Sequence, residues 1–84
     1  MNLTHGAQLR AARALLKLEK AELSQLSGVS STTIRKMEEP DGPFEARTST
    51  ARALEGVLVA RGIIFLNGDE PGARLRLMPR SQAA

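Results

Sequence analysis

Apolar positions recur at helical spacing over the first three quarters of the chain, then switch to a strand period near its end. Over residues 4–17, Leu9, Ala12 and Leu16 fall on one side, with Leu15 beside them, so the spacing predicts a first helix. Thr4 is placed to cap it, and Ala11 and Ala14 raise its helix propensity. Leu23 and Leu26 give a second short helix an apolar side, and Ile34 and Met37 give a third. Ala51, Leu54, Val57 and Leu58 repeat through residues 48–61 and predict a fourth, ended by Gly62. Residues 63–66, Ile-Ile-Phe-Leu, are all β-formers, and residues 73–77, Ala-Arg-Leu-Arg-Leu, alternate with period two. The turn-rich residues 67–72 between them complete a hairpin. Leu75 and Leu77 are expected to face inward, and Arg74 and Arg76 outward. Residues 79–84 contain nothing to anchor them and are expected to form a flexible tail.

The most informative stretch is residues 20–38, KAELSQLSGVSSTTIRKME. Gly28 stands where the second helix must stop and the chain reverse, because glycine takes a left-handed conformation without a Cβ penalty. Ser30 fits an N-cap, and Val29 before it is placed to touch Ile34 as a hydrophobic staple. Leu18 and Leu23 flank Glu19 in the same manner one helix earlier. Two capped helices around a glycine corner are the sequence form of a helix-turn-helix. With Ile34 and Met37 turned to the core, Ser31, Thr32, Arg35 and Lys36 point outward. Such a face suits the DNA major groove: hydroxyls bond base edges or phosphate, and cations read guanine N7 and O6. A solvated face of ordinary composition is the plain alternative.

The segment over residues 8–39, which includes LRAARALLKLEKAELSQLSGVSSTTIRKMEE, resembles the phage-repressor-like helix-turn-helix family, also called the XRE or Cro/C1 type. That family typically shows a basic first helix, a Q-x-x-L-A-x-x-x-G-V-S core and an I-x-x-x-E ending. The resemblance covers a little over a third of the chain closely and the fourth helix loosely. It implies a sequence-specific DNA-binding transcriptional regulator with Ser31–Glu38 as recognition helix. By the same resemblance, Lys20 stands at a DNA-backbone position, and Ser31, Thr32 and Lys36 at positions that meet base edges. Thr33 and Arg35 stand at phosphate contacts, and Arg13 and Glu38 at an ion pair tying the first helix to the third. Some departures are visible. Glu19 replaces the usual Ser or Thr cap, Ser24 a small alanine, and Ser27 an apolar residue. The glycine that often follows the third helix is absent, and Glu39-Pro40-Asp41-Gly42 ends it instead.

Composition narrows the picture. Eighty-four residues make one small domain with a thin core, for which a second subunit is a natural source of further burial. Twelve Lys and Arg against nine Asp and Glu leave a formal charge of +3. The charges are segregated: Arg10, Arg13, Lys17 and Lys20 come early, and Glu38, Glu39, Asp41 and Glu45 follow the third helix. This suits a module that presents a chosen face to a polyanion. There is no Cys, hence no disulfide and no Cys-based zinc site, and neither a metal nor another cofactor is expected. The lone His5 reads as a surface residue. No catalytic constellation stands out, so an enzyme is not expected. No apolar run is long enough to span a membrane, and MNLTHGAQLR lacks the apolar core of a signal peptide, so the expectation is cytoplasmic.

The expected fold is therefore mostly α: a four-helix repressor-like helix-turn-helix domain over residues 1–62, with a β-hairpin over residues 63–78. The strand at 63–66 is apolar on both faces and calls for two covers, which favours pairing across a homodimer through Ile63, Phe65, Leu75 and Leu77. The alternative is a hairpin folded over the helices of its own chain. As partners the reading expects double-stranded DNA and a second copy. The rival is an antitoxin or anti-regulator that acts through another protein. Arg47 and Arg52, near the start of the fourth helix, are further candidates for phosphate contact.

Overall fold

A computed structural model describes residues 2–77 of the chain. It contains α1 (Gly6–Leu16), α2 (Lys20–Ser27), α3 (Ser31–Glu38), α4 (Thr48–Ala60), β1 (Ile63–Leu66) and β2 (Gly72–Leu75). The architecture is mostly α, with β1 and β2 pairing as an antiparallel hairpin. Residues 79–84, expected as a tail, lie outside the described residues. Among the described residues no helix is long and apolar enough to cross a membrane.

One core serves every element. Leu9 and Ala12 of α1, Leu23 of α2, Ile34 and Met37 of α3, and Ala51, Leu54 and Leu58 of α4 are all buried in it. Ile63 and Phe65 of β1 join the same cluster. Within it α2 packs against α3 and α4, α1 against α3 and β2, and α4 against β1. Leu15 and Leu26, placed by spacing on apolar sides, remain exposed.

The start of α1 differs from expectation. Thr4 does not cap it; the Thr4 hydroxyl bonds the His5 ring nitrogen at 2.8 Å. The cap comes from the buried Gln8, whose Oε1 accepts from the amides of Thr4 (2.8 Å) and His5 (2.9 Å). Gly6, the first residue of the helix, lies with its backbone against the end of α3. A Cβ there would sit 1.9 Å from the Pro40 carbonyl oxygen and 2.7 Å from that of Met37. His5 is half-buried and bridges Pro43, so it is not the free surface residue its isolation suggested. At the other end Lys17 closes the helix in the left-handed region (φ 53°), and the Leu18 amide returns to the Arg13 carbonyl at 3.0 Å.

The hairpin folds over its own helices. Ile63 pairs with Leu75, Ile64 with Arg74, Phe65 with Ala73 and Leu66 with Gly72. Ile63 and Phe65 are 2% and 7% exposed, and Ala73 and Leu75 pack beside them. This corrects the expected dimer surface, since Ile63, Phe65 and Leu75 are occupied inside one chain. Leu77 is not an inward strand residue: β2 ends at Leu75, and Leu77 is 80% exposed. The outward face of the hairpin carries Ile64, half-buried, with Leu66 and Arg74, both exposed. The same Gln8 that caps α1 anchors the hairpin, donating from Nε2 to the carbonyls of Leu66 (2.7 Å) and Asn2 (3.1 Å). Asn67 donates to the Asn2 carbonyl at 2.9 Å, and Glu55 accepts from the Leu3 amide at 3.3 Å. The N-terminal segment is thereby laced between hairpin and α4, with Leu3 fully buried.

Candidate nucleic-acid interface

The corner between α2 and α3 is built from short-range devices. Glu19 begins α2, its amide donating to Glu22 Oε1 at 3.2 Å, and Leu18 and Leu23 are buried on either side of that start. Gly28 ends α2 with φ 78°, its amide donating to the Ser24 carbonyl at 2.9 Å. Ser27, a polar residue where the resembled family is apolar, has a use here. Its hydroxyl donates to the Leu23 carbonyl at 2.7 Å and accepts from the Val29 amide at 3.1 Å, bracing the turn. Ser30 caps α3, its oxygen accepting from the Thr33 amide at 3.2 Å. The first-turn amides of Ser31 and Thr32 lie before the first intrahelical bond and are left to solvent or a ligand.

α3 buries Ile34, Met37 and Glu38 and exposes Ser31, Thr32, Arg35 and Lys36. Thr33 is half-buried, and its hydroxyl bonds that of Ser30 at 2.9 Å. Arg35 reaches one turn along to Glu39, at 3.2 Å, an exposed pair that a stronger anion can displace. Lys36 makes no ion pair among the described residues. It lines a groove of about 360 Å³ together with Thr33, Met37, Glu45, Ala46, Arg47 and Thr50. The groove runs between α3 and the start of α4, where Arg47 is the N-cap and contributes no side-chain cap bond. Two cations, two hydroxyls and an open helix start thus line one shallow groove, with Glu45 as its single acidic member. Lys20, at the head of α2, is half-buried and does not line the groove. Arg52 is likewise apart, in a recess of α4 with Glu55, Gly56 and Val59.

Behind this face, Arg13 of α1 grips Glu38 of α3 with two parallel bonds, Nε to Oε2 at 2.5 Å and Nη2 to Oε1 at 2.9 Å. Arg13 also donates to the Leu18 carbonyl at 3.0 Å. The Glu38 hydrogen bonds raise the Arg13 pKa above its ordinary value, against a smaller opposing effect of burial. Arg10 pairs with Asp41 and donates to the Glu38 carbonyl at the end of α3. Arg10 and Arg13 thus hold the end of α3 from behind through ion pairs, the Arg10 pair exposed and the Arg13 pair largely buried, while Lys17 makes no ion pair among the described residues. Gly6 and Gln8 are structural residues that periodicity and motif spacing do not single out, because their partners are backbone atoms.

Neither the models of known protein families nor the curated proteins with which the chain was compared give a match.

Proposed function

We propose that this protein is a sequence-specific DNA-binding transcriptional regulator of helix-turn-helix type that acts as a dimer. α3 enters the major groove, with Ser31, Thr32 and Lys36 toward base edges. Arg35, Thr33 and Lys20 hold the backbone on its flanks. The observation that carries this reading is the asymmetry of α3. One side is locked by Ile34, Met37 and the Arg13–Glu38 pair, and the other offers only small hydroxyls and cations beside the groove of Lys36 and Arg47. A helix so held presents its outward side chains in fixed register, as direct reading of bases demands. Arg47 and the start of α4 extend the cationic surface toward a flanking phosphate. In a dimer, two such helices would meet successive major grooves about 34 Å apart, and the operator would be an inverted repeat.

The test is a binding titration against the DNA upstream of the protein's own gene, at two salt concentrations, with unrelated DNA as competitor. Tight binding that survives competitor and weakens with salt supports the regulator. Weak binding indifferent to sequence would redirect the search to a protein partner, in keeping with an antitoxin or anti-regulator. Lys36→Ala and Thr32→Ala are expected to lower operator affinity with the fold intact. Loss of a base contact costs about 1–3 kcal/mol and relaxes specificity at that position, whereas Arg47→Ala should weaken all sequences alike and reduce the salt slope by about one.

A further inference from the structure

Among the described residues nothing covers the outward face of the hairpin, and its composition is graded from end to end. Its centre is apolar: Leu66 is 40% exposed and stands opposite Gly72, which has no side chain to shield it. Ile64 lies beside it, half-buried, opposite Arg74. Toward the base of the hairpin the side chains are basic, with Arg74 and then Arg76, whose amide continues the ladder to the Gly62 carbonyl at 2.9 Å. Toward the tip they are acidic, Asp69 and Glu70. All four charged residues are exposed, and none forms an ion pair among the described residues. By contrast Arg10, Arg13 and Arg35 have each found a carboxylate.

We infer that this face docks a second copy of the chain, face to face, about a two-fold axis that crosses the strands near Ile64 and Leu66. Such an axis reverses the second hairpin, so the apolar centres meet and each acidic tip lies over the other copy's arginines. The spacing suits it. At about 3.4 Å per residue, Arg76 lies about 10 Å on the basal side of the centre, and the tip carboxylates lie a comparable distance on the other. A surface that is self-complementary under a two-fold is what an isologous interface requires. The opposite choice, with the axis along the strands, would set arginine on arginine and carboxylate on carboxylate, a repulsive arrangement. The patch is small, so the free dimer is weak and reversible, in the class of interfaces below about 1,200 Å². The inference rests on the dimeric part of the proposed function and identifies the surface that makes the dimer.

Sedimentation equilibrium of the full chain, without DNA, tests it. Two variants are needed, one with Asp69→Lys and Glu70→Lys, the other with Arg74→Glu and Arg76→Glu. All four sites are exposed, and circular dichroism checks that each variant keeps its helices. The wild type should associate reversibly, less at high salt. Each variant alone should associate about tenfold more weakly, because tip and base then carry like charge. An equal mixture of the two should recover association as a heterodimer, since opposite signs meet again at both ends. Leu66→Lys should weaken association without unfolding. A wild type that stays monomeric at every concentration, or a dimer indifferent to both variants, overturns the inference. No DNA is present, so these outcomes are independent of operator binding. A dimer of this kind that ignores the upstream DNA would sink the regulator and leave the interface standing.

Discussion

The α2–α3 corner and the hairpin are both short and turned about a glycine-containing bend, yet they are held in opposite ways. Each bond that shapes the corner joins residues two to four apart: Ser30 to Thr33, Ser27 to Leu23 and Val29, Gly28 to Ser24. The hairpin is fastened from far along the chain, by Gln8 at a separation of 58 residues and by Asn67 to Asn2 at 65. The corner can therefore form with little loop-closure cost and hold the outward face of α3 in register. The hairpin gains its place only when the N-terminal segment and α1 are already assembled. One consequence is that damage to the corner should stay local, whereas damage to the clasp should release a whole element.

The largest effect should come from Gly6→Ala. Its Cβ would meet backbone oxygens of Pro40 and Met37, which cannot step aside as a side chain would. We expect a loss of about 3–5 kcal/mol in denaturant unfolding, or no folded protein. Phe65→Lys should be nearly as severe. It places a charge in the common core, so it should detach the hairpin rather than merely separate subunits. Amide exchange in β1 and β2, together with sedimentation, distinguishes these outcomes.

Gln8→Leu comes next. It leaves the Thr4 and His5 amides and the Leu66 carbonyl without their partner. A cost of about 2–4 kcal/mol is expected. Amide exchange should accelerate first in β1 and β2, with α2 and α3 the last to lose protection. Equal acceleration in α3 would break the contrast between the two regions.

Glu38→Gln tests the link between α1 and α3. Removing one partner strands Arg13 in a largely buried position, at about 3 kcal/mol, and loosens α3 against α1. The raised Arg13 pKa lies far above working pH. Its stabilisation is fully present below the unfolded-state value and would be lost only as pH rose through the folded-state one, so it gives no pH dependence near neutrality. Ser30→Ala should cost about 1 kcal/mol through the lost cap, confined to the start of α3. The smallest effect has the opposite sign. Lys17→Gly should stabilise by up to about 1 kcal/mol by relieving a left-handed conformation in a residue with a Cβ.

The four helices and two strands could be read from the chain because each rests on a periodic run or a local signal. The third helix is the clearest case: Gly28, Val29, Ser30 and Ile34 fix its start from neighbouring residues alone. Its outward residues follow from the same phase, since burying Ile34 and Met37 leaves the positions of Ser31, Thr32, Arg35 and Lys36 no other direction. The start of α1 was not legible. Thr4 is a good cap by type, but the cap that forms depends on Gln8, whose burial under the hairpin no local pattern encodes. Nor could spacing tell which face of β1 the helices cover, because both faces are apolar and a strand read alone has no inside.

What the sequence determines by itself is thus the set of elements and the phase of each helix, because propensity, capping and periodicity act within a few residues. Which cations stay free was decided by the tertiary structure. Arg10 and Arg13 lie on the helix that Lys17 closes, and only the approach of α3 turns the two arginines into its supports. The same holds for the groove of Lys36 and Arg47 and for the choice of Ile63 and Phe65 over Ile64 and Leu66 as the buried side. Each depends on surfaces brought together from distant parts of the chain, where the geometry of packing, rather than the identity of neighbours, fixes what a side chain meets.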